Sequence, residues 1–346
     1  GTAKDPEPDR KDTIPDDEQL RVDIWNWQDS KLQPQQLAEL EKERKRTYMA
    51  VYHTDLDRFI QLADLDVKNI NTINKGDGDI GLGYYEQPYL RESSWTGNTN
   101  RDYYIVDMVS GIKKEILKEK SNVVISPQGK YVVWYENSDS SYYALSTDLE
   151  NAKPVPLTKM IPVNFYDEEN DRPMDPQPYG IAGWSEGDRF IYIYDRYDIW
   201  KTDPSGDRVP VCITQAYGRR NNLRLRYVKL DPELEFIPST QPLILSAFDE
   251  NSMQAGFYNT RFDVVADPTK MIMDNYYFGN LKKAKNSTKI IYTKESVSQF
   301  PDLHLSDINF INSEKISDAN PVQCDFIWPI VKMVEWISIS GEKLKG

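Results

Sequence analysis

Cysteine and histidine are almost missing: Cys212, Cys324, His53 and His304 are the only ones in 346 residues. The cysteines lie 112 positions apart with no C-x-x-C, so neither a disulfide framework nor a Cys/His zinc site is expected, and the two thiols pair only if the fold brings them together. Long apolar runs are also missing, and none approaches the roughly 18 to 20 residues that span a bilayer. Positive charge is in deficit, with 42 Lys and Arg against 55 Asp and Glu and a net charge of −13. Phosphate-rich partners such as nucleic acid or anionic lipid are therefore not expected. No Gly-rich phosphate loop follows a strand and no EF-hand spacing occurs, so no cofactor and no metal is expected. The N-terminus has neither a basic n-region nor an apolar h-region; Gly1 reads as a tag scar and residues 1–19, rich in Asp, Glu, Lys and Pro, as a flexible leader.

What is plentiful is the material of strands and turns. There are 22 Tyr, 8 Trp, 17 Gly and 21 Pro, while leucine-rich amphipathic stretches are scarce. Residues 21–27 alternate like a strand, and the one convincing helix is a short, charged surface helix near 32–47. From position 47 a repeat sets in: a turn, a β-rich run, a second β-rich run ending at an Asp, then a short strand often closed by Leu-Thr or Ile-Thr. The Asp positions 64, 107, 148, 203, 263 and 307 are separated by 43, 41, 55, 60 and 44 residues, close to the roughly 40 to 50 of a four-stranded propeller blade. The expectation is an all-β chain, a β-propeller of four-stranded antiparallel blades with about six units visible and an incomplete ring whose open edges invite association.

Residues 183–187 spell G-x-S-x-G, the nucleophile elbow of α/β-hydrolases. An elbow needs a buried strand before its Ser and a helix directly after. Here Pro178 and Gly180 interrupt the upstream side, and the downstream run at 189–194 has strand composition. His304 is the only His after Ser185, and it sits inside another strand-like run. Ser185 therefore reads as part of a turn feeding a strand. The turn at 126–130, Ser-Pro-Gln-Gly-Lys, has the same character, and the two are expected to match Ser on Ser and Gly on Gly. No catalytic residue is assigned.

Four residues are candidates for holding a substrate or partner. Arg219 and Arg220 open a basic island at 218–227, and Arg can grip carboxylates through paired hydrogen bonds. Arg224 and Arg226 in the same island alternate with Leu223, Leu225 and Tyr227, as on a half-buried strand. Glu168 and Glu169 lie in an acidic loop, 167–171, that is suited to a cation or a peptide amino terminus. Trp95, Trp134, Trp184, Trp200 and Trp328 suit either a groove or blade packing.

The C-terminus carries the most specific residues: Ser-Asp-Ala-Asn-Pro at 317–321, Phe-Ile-Trp-Pro at 326–329, and Val-Glu-Trp-Ile-Ser-Ile-Ser-Gly-Glu-Lys-Leu-Lys-Gly at 334–346. With residues 126–130, the run at 194–200, and 22–27 together with 32–36, they resemble the prolyl oligopeptidase family of serine peptidases, particularly Bacteroides-type members related to dipeptidyl peptidases. The chain departs from the family pattern at Ser340, where Asp is usual, and at Pro329, where Gly is common.

The resemblance implies propeller blades over 20–330 and, at 331–346, the first strand of an α/β-hydrolase domain that lies beyond this chain. It implies a non-catalytic region of a periplasmic or extracellular peptidase, inactive alone, gating and orienting peptide substrates for that domain. Glu168 and Glu169 match the paired glutamates of dipeptidyl peptidases in composition only. The alternative is a stand-alone propeller that binds a protein or glycan.

Overall fold

The computed structural model describes the Thr2–Ala3 strand, Val22 and residues 24–346. Five four-stranded sheets follow one another along the chain, and in each the strands are hydrogen-bonded in sequence order, as an antiparallel meander. They span 69–120, 124–156, 181–212, 223–274 and 277–315. This is the blade unit of a β-propeller, so the expected fold class is correct. Among the described residues the sixth unit, the first in the chain, contributes the hairpin of Ala50–His53 with Arg58–Gln61.

The chain divides into two compact units, Gly1–Ile193 with Lys201–Pro210, and Tyr194–Trp200 with Val211–Gly346. In the first unit, Leu82, Tyr103 and Ile105 of sheet 69–120 pack with Val132, Trp134 and Leu145 of sheet 124–156. Ile60, Leu62 and Ala63 beside the hairpin pack on Ile70, Val106 and Met108 in the same way. In the second unit, Ile244 and Phe257 of sheet 223–274 meet Ile290 and Tyr292 of sheet 277–315, with Phe257 stacked on Phe310 at 4.6 Å. Inner strands are covered on both faces, which is why Tyr131–Glu136 and Ile191–Tyr194 are continuous apolar runs rather than alternating ones. The outermost strand Lys113–Lys120 carries charge along its length, as solvent-facing edges do.

The repeat signals have identifiable jobs. Asp64, Asp107, Asp203 and Asp307 each turn a side-chain oxygen onto the backbone N–H two residues further on, closing the turn after a strand. The Leu-Thr signal is a clip. After the short fourth strand of sheet 124–156, Leu157 N–H donates to Tyr142 O at 2.8 Å while Tyr142 N–H donates to Thr158 Oγ1 at 2.9 Å. Ile213 and Thr214 repeat this on Ile199, and Ile316 and Ser317 repeat it on Leu303.

Two expectations need correction. Val22 and residues 24–27 form no strand; their alternation has no neighbouring strand to pair with, and Arg21 and Asp23 lie outside the described residues. The helix near 32–47 is present as Gln33–Arg44, but the described residues hold two more, Leu90–Thr96 in the first unit and Tyr217–Asn221 in the second. Both are too short to show a helical period. Of the expected leader, residues 1–19, only Thr2 and Ala3 are described, paired antiparallel with Tyr48 and Thr47; the rest of that expectation lies outside the described residues. Cys212 and Cys324 are free thiols.

Candidate functional site

Ser185 occupies a strand–turn–strand corner. Ile181–Trp184 precedes it, a tight turn at Glu186–Asp188 follows, and Ile191–Tyr194 runs on as the next strand. Its hydroxyl accepts the Phe190 N–H at 2.9 Å, and its residue is only 7% exposed. Ser126 makes the same bond to Tyr131 at 3.0 Å. The backbone bonds match as well: Ser126 and Ser185 donate to Tyr131 O and Phe190 O, and receive at their own carbonyls Gly129 N–H and Asp188 N–H.

Ser thus matches Ser, but Gly does not match Gly. Asp188 stands where Gly129 stands, in the left-handed region at φ 55 against 73. Asp is one of the few side chains that tolerate this region. Asp188 is 1% exposed, and its carboxylate reaches into the Ser126 turn. There it accepts Ser126 Oγ–H at 2.5 Å, Gln128 N–H at 3.0 Å and Lys130 N–H at 3.3 Å. The G-x-S-x-G segment is a joint between consecutive blades.

In the second unit the basic island is built around three carboxylates, Asp195, Asp198 and Glu250. Asp195, at the start of the 195–198 turn, accepts Tyr197 N–H and Asp198 N–H, each at 2.7 Å, and Trp200 Nε1–H at 2.9 Å. Arg219 approaches it at 3.5 Å. Glu250 accepts Arg196 at 2.7 Å and Tyr197 Oη–H at 2.9 Å, with Arg224 at 3.7 Å. The Tyr197 ring lies between the Arg196 and Arg219 guanidiniums, 5.1 and 5.3 Å from its centroid.

Asp198 accepts Thr214 Oγ1–H at 2.6 Å and the N–H groups of Gly218 and Arg219, each at 2.9 Å. Burial lifts its carboxyl above the ordinary range despite these bonds. Burial also raises Glu250, but the Arg196 and Tyr197 hydrogen bonds and the Arg196 and Arg224 charges outweigh it and hold that carboxyl low. Tyr197 is pushed up to about 12 by burial and by its bond to Glu250.

Of the sequence candidates, Arg219 therefore spends its backbone on Asp198 and its side chain beside Asp195, although one guanidinium nitrogen is buried without a hydrogen bond among the described residues. Exposed Arg220 pairs with Asp267 at 2.5 Å. Arg224 and Arg226 do lie on a strand, Leu223–Tyr227, whose leucines are buried. In the first unit Glu168 is exposed, accepting Asn164 Nδ2–H at 2.9 Å, and Glu169 is exposed next to it. Sequence reasoning missed Asp188, Asp195, Asp198 and Glu250 as network members, although the 194–200 run that holds two of them is quoted above as a family signature.

The class these features define is a set of all-β propeller blades with buried polar joints. Neither a protein-family model nor a curated protein sequence matches the chain. Among solved structures it is similar to TolB from Agrobacterium tumefaciens, at 13% identity, covering 78% of this chain and 88% of that one, with a TM-score of 0.36. It is also similar to Porphyromonas gingivalis dipeptidyl peptidase 4, at 13% identity, 87% and 50% coverage and a TM-score of 0.45. An acylaminoacyl peptidase solved with a chloromethyl ketone matches at 9% identity, 88% and 46% coverage and a TM-score of 0.43. The chain spans about half the length of each of these two peptidases.

Proposed function

We propose that this chain is the propeller region of a prolyl oligopeptidase-like serine peptidase, gating and orienting peptides for an α/β-hydrolase domain whose first strand lies at residues 331–346. The observation that carries the reading is the C-terminal hairpin, Glu335–Ile337 paired with Lys343–Lys345. Every residue of both strands is exposed, and Ile330, Val331, Ile337 and Ile339 stand in water together. Lys343 pairs with Glu335 at 2.7 Å, while Trp336, Ile337 and Leu344 stay uncovered, and a two-stranded hairpin with such residues exposed gains stability when it joins a larger sheet.

On this reading the chain has no nucleophile of its own, and Ser185 serves the blade joint. Glu168 and Glu169 hold a peptide amino terminus, and Arg219 and Arg220 hold a carbonyl or carboxylate. The domain limits follow: blades over 20–330, then the opening strand of the hydrolase. The location follows too, periplasmic or extracellular; no helix among the described residues is long and apolar enough to cross a membrane.

The test compares this chain with the product of its parent reading frame, using a fluorophosphonate probe and dipeptide-releasing substrates. The expected result is labelling and turnover only in the longer protein, unchanged by Ser185→Ala. Labelling of this chain that Ser185→Ala abolishes, or a parent frame that encodes no hydrolase, overturns the reading.

A further inference from the structure

Three tryptophans stand in water on the first unit: Trp25, Trp27 and Trp95 are 64%, 74% and 67% exposed. Single exposed apolar residues are ordinary, but a group of large aromatic ones marks a binding surface. All three line one cleft of about 230 Å3. One wall is the segment leading into helix Gln33–Arg44, and the other is helix Leu90–Thr96, which brings Arg91 and Trp95.

The walls are tied together. Gln87 Nε2–H donates to Ser30 Oγ at 3.0 Å, and the Arg91 guanidinium lies 5.1 Å from the Trp27 ring centroid. Gln36 braces the first wall by donating to Asp29 Oδ2 at 3.1 Å and Lys31 O at 2.9 Å.

The cleft's lining has one carboxylate, Asp29, which accepts from Gln36, beside several donors. Asn26 and Gln35 spend their side-chain oxygens on the N–H groups of Gln28 and Leu32, each at 3.1 Å, which leaves their amide NH2 groups to give hydrogen bonds. Lys31 is matched by Glu39 at 2.5 Å, whereas Arg91 makes no ion pair among the described residues. Indole faces beside amide and guanidinium donors suit a ligand that is apolar on its ring faces and rich in acceptors around its edge.

A sugar ring has that shape, with C–H groups on its faces and hydroxyl oxygens at its rim. A cationic ligand would meet Arg91, which already occupies the Trp27 face. A purely apolar ligand would bury the donors unpaired. The volume falls below the roughly 300 to 1,000 Å3 of sites for drug-sized ligands, so it takes one ring.

We propose that the cleft between Trp25, Trp27 and Trp95 binds a terminal sugar ring of a glycan, with Arg91 giving hydrogen bonds to its oxygens. This site is independent of the peptidase reading and of residues 331–346.

The test is saturation-transfer NMR on this chain with glucose, galactose, N-acetylglucosamine and glucuronate, repeated on Trp27→Ala/Trp95→Ala and on Arg91→Ala. Far-UV circular dichroism checks the fold, which such exposed positions leave intact. At least one sugar is expected to give transfer that the double variant weakens about tenfold or more, the scale of losing aromatic anchors, with a smaller loss in Arg91→Ala. No transfer from any of the four sugars, or transfer that the double variant leaves unchanged, overturns the proposal.

Discussion

Strand Ile191–Tyr194 and strand Glu335–Ile337 both join Ile to an aromatic, the second with Glu335 at its head, yet all four residues of the first are buried and all three of the second are exposed. Composition chooses extended backbone in both. Burial is decided elsewhere, by whether a covering surface exists and whether a polar joint locks it in place. At the first strand that joint is Asp188, which fixes the turn before it to the Ser126 turn. At the second, the only ladder among the described residues is to Lys343–Lys345. Strand identity is therefore a local property, and core membership is one the rest of the molecule confers.

The sharpest way to break the contrast is at Asp188. Asp188→Ala strips the acceptor from one hydroxyl and two backbone N–H groups and places Ala at positive φ, so a loss of about 3 kcal/mol is expected in denaturant unfolding. Hydrogen exchange should quicken at Gln128 and Lys130. Asp188→Asn, which keeps an acceptor and tolerates the backbone, should lose less.

The next effect is at a clip. Thr214→Val keeps the shape but removes the hydroxyl that joins Ile199 N–H to the Asp198 carboxylate, for about 1 to 2 kcal/mol. Exchange at Ile199 reports it locally.

A smaller, pH-resolved effect belongs to the equivalent clip at Asp302. The Lys315 ion pair, the Ala319 N–H and the Ser317 hydroxyl hold its carboxyl at about 2. A depressed carboxyl contributes stability above its unfolded value, roughly 4, and loses it as pH falls toward 2. The wild-type thermal midpoint, measured against Asp302→Asn, should lose its lead over that window; a lead that is flat with pH would sink the assignment.

The smallest effect is expected on the hairpin. Ile339→Ser should change stability by no more than about 0.5 kcal/mol, since no packing is lost, while reducing light scattering at high concentration.

Much of the blade was legible because its devices are local. An Asp closing a turn and a Leu-Thr or Ile-Thr after a short strand each act within about twenty residues, so their periodic return could be read directly. The Ser126 and Ser185 turns were legible as turns for the same reason. The Gly pairing went wrong because Gly187 and Asp188 both take positive φ, and composition favours the glycine.

What stayed hidden acts at a distance. Nothing near Asp188 shows that its partners lie some sixty positions upstream, and nothing near Glu250 shows Arg196. That Arg219, Arg220 and Arg224 of the basic island also face Asp195, Asp267 and Glu250 of this chain is equally invisible in the sequence. Trp95 was singled out beside Trp134 and Trp184, which are buried, because residue type alone does not separate a platform from a core.

The clips bear on how a blade comes apart. The fourth strands Val155–Pro156, Val211–Cys212 and Glu314–Lys315 are each two residues long, too short for a ladder to hold. A hydroxyl and one backbone bond beyond each strand do that holding instead, so the outer edge should release in one step, as a latch does, rather than fray residue by residue. Tension on the chain would then be met first at Thr158, Thr214 and Ser317, leaving the inner three strands of each sheet intact until a latch has opened.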